Sequence, residues 1–339
     1  MRVLVSGATG FMGRSISRHV LGAGHTVRAM SRSAEKAARK FEALPEAAAA
    51  VETGRLEFVS ADVTEPASLL AAVEGVDVVI QCAQFPGAPV ENARRGLTYM
   101  QVDRGGTLNL LTAISTVYRA QTAGPGMTRF PDGAPRFFYL SGVTVSQHAT
   151  ETWNRAKWQA ESAIKGSGLE WAVVRSSWAF GPGDDSLNRI LGFSDFLPFV
   201  PVFGDGTELL TPVFVEDVGR LFARLVDDPE ASRDATLPLG GPEPISMNEF
   251  VGTALEVMGR RRPILHVPKP LGKIPAAVLQ FLPGRPLSPG AVDFTSQGGV
   301  ADLGPLLERF PDFKTTPTRA ALESYLGESH ERSTAGGRK

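Results

Sequence analysis

Cysteine is almost missing from this 339-residue chain, and Cys82 stands alone. A single thiol excludes an internal disulfide and a cysteine-built zinc site, and it fits a reducing compartment. Histidine is scarce as well. The five, His19, His25, His148, His266 and His330, never fall at a ligand spacing such as H-E-x-x-H, so no metal centre is expected. Neither sign of charge dominates: 35 Lys+Arg stand against 36 Asp+Glu, with no long block of either. Such a balance gives no support to a nucleic-acid partner and points to a small-molecule ligand. No apolar run approaches the length of a membrane span, and glycine at residue 7 comes too early for a signal peptide. A cytoplasmic protein without a membrane partner is therefore expected. Residues 327–339 are polar, lack large apolar side chains and are expected to form a mobile tail.

What the chain has instead is rhythm. Short β-branched runs, RVLVS, HTVRAMS, LEFVSAD, VDVVIQCA, RFFYLSG and EWAVVRSS, alternate with longer helical patterns. That alternation predicts an α/β fold, a doubly wound parallel sheet with helices on both faces. Met12, Ile16 and Val20 recur at i, i+4 and i+8 and mark the buried face of the first helix. A long helix is expected from Gly96 to Arg119, and the glycine- and proline-rich AQTAGPGMTRFPDGAP after it is read as a surface loop. After WAFGPGDD the rhythm breaks and proline becomes frequent, as in a lid built over a sheet edge. LLTPVFVEDVGRLFARLVDD and ATLPLGG return to the main sheet. The expected division is residues 1–181 plus 209–241 for the nucleotide-binding domain, and 182–208 plus 242–326 for a smaller, discontinuous α+β domain.

VLVSGATGFMGRSI sets Gly7, Gly10 and Gly13 between the first strand and the first helix. Gly7 allows a tight turn, Gly10 lets the backbone approach a pyrophosphate, and Gly13 lets helix and strand come close. The helix N-terminus then faces the phosphates. With strand before and helix after, the loop predicts dinucleotide binding by Gly7, Thr9, Gly10, Phe11, Met12 and Gly13.

The G-x-x-G-x-x-G spacing, Thr9 and the strand rhythm resemble the short-chain dehydrogenase/reductase superfamily, in its extended or atypical branches. The resemblance runs through most of the chain. SAD, with Asp62 and Val63, resembles the family's adenine-side acidic position. QCAQ, containing Cys82, Ala83 and Gln84, resembles the turn under the nicotinamide ribose. VDRGGTLNLLTA, VVRSSWAFGPGD and PVFVEDVGRL resemble three further family segments. A Rossmann fold and a nicotinamide dinucleotide follow as what the resemblance implies.

Enzymes that prefer NAD carry an acid at the end of strand two, where it binds ribose and repels a 2′-phosphate. Here RAMSRS puts Ser31 and Arg32 at that place. A hydroxyl and a guanidinium suit a phosphate, so NADP is favoured over NAD.

The resemblance also implies a Tyr-x-x-x-Lys helix beside a serine. Lys157 matches the lysine, but Trp153 stands at the tyrosine, and an indole N–H only donates. Gly142 stands at the usual serine, Ser141 falls one residue early on the opposite side of the strand, and Asp103 replaces an asparagine. Three of four usual positions differ. Lys157 is expected to anchor the ribose; proton transfer falls to Lys157, Thr144, His148 or a water, with Ser141 a further candidate. Trp153, Trp178, Phe180 and Phe193 are candidate substrate contacts, with Phe196 and Phe203 nearby in sequence. Three functional classes stay open: an NADP-dependent enzyme for a small, fairly apolar substrate; an NADPH-holding protein like NmrA-like sensors or the complex I accessory subunit; and a non-redox lyase, isomerase or cyclase. Monomer and homodimer both remain possible.

Overall fold

The computed structural model describes residues 1–42, 44, 46–85, 91–119, 121–124, 127–281, 287–294 and 297–327. The expected mobile tail, beyond Gly327, lies outside them.

Seven strands make the central sheet: β1 (Arg2–Ser6), β2 (Thr26–Ser31), β3 (Leu56–Ser60), β4 (Val78–Gln81), β5 (Arg136–Gly142), β6 (Trp171–Ser176) and β7 (Ala235–Leu239). All are parallel, in the order β7-β6-β5-β4-β1-β2-β3. The chain reverses direction between β1 and β4, and the crevice outside the carboxyl ends of those two strands is where such sheets bind ligands.

Alternation along each strand feeds two cores. Val3 and Val5 face one side, with Ile16, Val20, Phe222 and Leu225 of α1 (Phe11–Gly22) and a helix at Val215–Asp227. Leu4 and Val79 face the other, against Leu69, Leu110, Ile114 and Ile164 from three further helices. A third core, built from Trp178, Phe180, Leu187, Ile190, Phe250, Val251 and Leu322, sits in the smaller part of the chain.

Three expectations need correction. The long helix does not begin at Gly96, whose φ of 69° closes a 3-10 turn at Ala93–Arg95 and cannot join a right-handed helix. It begins instead as a π-helical turn, Met100–Gly105, that runs into the helix Gly106–Val117. The expected loop after it contains an antiparallel hairpin of Gln121–Gly124 and Met127–Arg129. Finally, Leu306, Phe310 and Phe313, expected in the smaller domain, pack into the main sheet's core.

Candidate active site

The glycine loop is sterically committed. Gly7 has a φ of 67°, and a Cβ there would lie 2.8 Å from the Ala83 backbone. A Cβ on Gly13 would lie 2.2 Å from the Gly7 carbonyl oxygen. Gly10 is the N-cap of α1 and supplies no side-chain cap, so the first-turn N–H groups of Phe11, Met12 and Gly13 are left for a ligand. A phosphate-shaped cradle floored by backbone is what a dinucleotide needs.

On the adenine side, Asp62 uses Oδ1 to accept from the Thr64 N–H (2.9 Å) and hydroxyl (2.8 Å). This fixes the carboxylate and leaves its second oxygen for a base. Val63 is held from behind: its carbonyl accepts from Asn109 at 2.8 Å, and its side chain fills the space beside Gly106. The GTLN stretch of the long helix therefore shapes the turn that follows β3. At the end of β2, Arg32 is exposed and Ser31 half-buried, while the Lys40 ammonium donates to the Thr9 carbonyl at 3.4 Å. Glu35, the nearest acid in sequence, is paired with Arg39.

Under the expected nicotinamide end, the turn after β4 is tied to β1. Gln81 and the Cys82 N–H both bond the Ser6 hydroxyl, and the Cys82 thiol donates to the Ser6 carbonyl at 2.7 Å. Burial pushes that thiol up to about 12, so Cys82 is a spacer and not a nucleophile. Ala83 packs beneath Gly7, and Gln84 is exposed.

Lys157, on the helix Thr152–Lys165, is buried, and its Nζ meets three groups. It donates to the Leu140 carbonyl at 3.2 Å, lies 3.5 Å from Asp103 Oδ1, and sits 5.2 Å from the centre of the Tyr139 ring. Asp103, on the π-helical turn, is 1% exposed, and its other oxygen accepts from the Phe85 N–H at 2.9 Å. Burial raises the Asp103 carboxyl above its usual range, while Lys157 and the Phe85 N–H oppose the rise. The sequence reading noticed the acid and missed the pairing. An acid replacing an amide while the lysine is kept was the available signal.

Trp153 and Gly142 are one adaptation. A Cβ at Gly142 would lie 3.0 Å from Trp153 Cη2 and 3.2 Å from Cζ3, so the indole occupies the room a serine side chain would need. A serine at position 142 would be overpacked against this indole. Thr144 donates to Asn154 Oδ1 at 3.1 Å and faces Trp153 across a small pocket. Val143, Ser176, Ser177, Trp178, Leu210 and Gln297–Gly299 complete that pocket, whose volume is about 50 Å³. The Ser177 hydroxyl donates to the Gly299 carbonyl at 2.6 Å and pins the covering strap. Nothing in the sequence flagged Gln297–Gly299, which reach the site only through the tertiary fold.

Other candidates lie elsewhere. Ser141 does point to the opposite side, where its hydroxyl donates to Glu161 Oε1 at 2.6 Å; Glu161 in turn holds Arg175 at 2.7 Å. Committed to a buried carboxylate, Ser141 is withdrawn as a catalytic residue. Phe180 is fully buried and packs edge-on to Phe250 with ring centres 5.1 Å apart, which makes it core and not a substrate contact. Phe193 is half-buried and absent from the pocket lining, His148 and Phe196 are exposed, and Phe203 is buried beneath Gly272. A larger groove of about 790 Å³, lined by Arg18, His19, Arg220 and Arg224 among others, borders the C-terminal end of α1. Because α1 runs back across the sheet, that groove lies at the opposite edge from the glycine loop.

The sequence profile described as the NAD dependent epimerase/dehydratase family matches residues 3–237. The chain is similar to the divinyl chlorophyllide a 8-vinyl-reductase of Zea mays, at 28% identity over 312 residues covering 88% of this chain and 69% of that protein. It is similar to a photosystem II assembly factor of Synechocystis, at 26% identity over 337 residues covering 97% and 90%. The UDP-glucuronic acid 4-epimerase of Bacillus cereus, solved in complex with NAD, superposes with a TM-score of 0.71 at 15% identity, over 98% of this chain and 99% of that one. At that identity the likeness speaks for the fold.

Proposed function

We propose that this chain, which belongs to the NAD dependent epimerase/dehydratase family, is an NADP(H)-dependent oxidoreductase acting on a small, fairly apolar organic substrate. The observation that carries the reading is the buried Asp103–Lys157 pair, one helical turn from a Trp153 that walls a small pocket together with the apolar Val143, Trp178 and Leu210. Preference for the 2′-phosphate rests on Arg32, with no carboxylate at the end of β2 to repel it.

The bound nicotinamide would supply hydride chemistry. Lys157 has three N–H donors; the Leu140 carbonyl takes one and Asp103 is an ion-pair partner at 3.5 Å, which leaves N–H capacity to hold ribose hydroxyls. Asp103 holds the ammonium in place in a dry setting. Trp153 moves no proton; it excludes water and shapes the pocket. The proton for the substrate comes from the Thr144 hydroxyl, released from its bond to Asn154 and re-protonated by a water, or from such a water directly; Thr144 is, with Ser176 and Ser177, one of the hydroxyls that border the pocket.

Calorimetric NADPH titration and a panel of carbonyl and activated-alkene substrates test this for the wild type and Lys157→Ala. Turnover in the wild type, lost by about 100-fold or more in the variant while NADPH still binds, is the expected result. Tight NADPH binding with no oxidation by any panel member would instead make the chain a cofactor holder. Product formation without net change in NADPH would make the chemistry non-redox.

A further inference from the structure

The helix Lys269–Leu279 is packed inside out. Its inner face is made of small residues: Gly272, where a Cβ would lie 2.6 Å from the Phe203 ring, and Ala276, fully buried beside Leu287 and Val292. Its outer face carries the large ones. Leu271, Ile274 and Val278 follow at i, i+3 and i+7, with Phe281 just beyond the helix, and they are 60%, 68%, 68% and 68% exposed. A single exposed leucine is ordinary, but four large apolar side chains in one stripe, with glycine and alanine turned inward, are not explained by packing among the described residues.

The segment that carries the stripe is basic in sequence. Between Glu256 and Phe281 the sequence contains Arg260, Arg261, Arg262, Lys269 and Lys273 and no acid at all. Two of these are paired with acids from outside the segment, Arg260 with Asp195 at 2.5 Å and Lys273 with Asp293 at 2.7 Å. Arg261 and Arg262 are exposed.

We infer that this face rests on an anionic lipid bilayer, with Leu271, Ile274, Val278 and Phe281 inserted at the headgroup boundary and the basic residues against lipid phosphates. Among the described residues no helix is long and apolar enough to cross a membrane. A helix lying in the plane of the interface needs neither that length nor that uniform hydrophobicity. A second copy of the chain is the poorer occupant, because a two-fold contact through this stripe would set one basic segment against another. The inference is independent of the proposed function.

Sedimentation of the full chain with vesicles of 30% phosphatidylglycerol in phosphatidylcholine tests it. The wild type is expected to sediment with these vesicles and to stay in solution with pure phosphatidylcholine. The double variant Ile274→Glu/Val278→Glu is expected to bind at least about tenfold more weakly, with an unchanged circular dichroism spectrum because both sites are exposed. A Phe281→Trp variant is expected to shift its emission to the blue when anionic vesicles are added. No binding to the anionic vesicles, equal binding by the double variant, or a wild-type dimer that the double variant converts to monomer would each overturn the inference.

Discussion

The coupling between Trp153 and Gly142 can be measured. A Cβ on Gly142 meets Trp153 Cη2 at 3.0 Å and Cζ3 at 3.2 Å, tighter than ordinary contact, and a serine adds a hydroxyl to the same crowded space. Gly142→Ser alone should cost about 1–3 kcal/mol, the usual range for overpacking. Trp153→Tyr alone removes part of a half-buried indole and should cost a similar ~1–3 kcal/mol through the space it leaves. Together they should cost less than their sum. The narrower ring relieves the contact, and its hydroxyl can bond the new serine where an indole carbon could only collide. A favourable coupling of about 1–2 kcal/mol is expected from urea unfolding of the four proteins, carried through a double-mutant cycle. Additivity to within about 0.5 kcal/mol would show that the two replacements are independent and that the reasoning is mistaken.

Gly13→Ala should abolish NADPH binding in calorimetry, because its Cβ would fall 2.2 Å from the Gly7 carbonyl and must displace the loop; unchanged affinity would remove that loop from the site. Arg32→Asp should weaken NADPH by about tenfold or more and leave NADH as good or better, since a carboxylate there repels the 2′-phosphate; equal losses for both would count against the proposed preference. Asp184, buried in a turn, has its carboxyl raised to about 6, chiefly by desolvation. The folded chain therefore holds that proton more tightly than the unfolded one. The resulting stability is fully present below about pH 4 and is lost as pH rises through about 6, a change on the order of 2–3 kcal/mol. Urea unfolding of wild type and Asp184→Asn across that window should show the difference between them changing in this sense, and a constant difference would contradict it.

The sheet was legible because its strands are buried on both faces and read as unbroken apolar runs, β4 and β5 above all. The glycine loop was legible because backbone geometry there tolerates no other residue. Periodicity failed where a partner had to be known. It could say that Leu271, Ile274 and Val278 share a face, but not that the face would be left uncovered. It could place Phe180 among aromatics near the site, but not inside the third core. Ser141 showed the strength of simple alternation: its side was predicted from strand geometry, while the Glu161 that claims it lies twenty residues away on another element. Asp103 was visible only as a departure from a family pattern, since its meaning depends on a lysine and a backbone N–H that the sequence leaves far apart.

The carboxylate of Asp103 carries one further implication. It ties the chain leaving β4, through the Phe85 N–H, to the ammonium of Lys157, so two walls of the cleft hang from the same atom group. Neutralising it would slacken both walls at once. Grip on the nucleotide and the outline of the neighbouring cavity should consequently vary as a linked pair among variants of this chain, with neither adjustable while the other stays put.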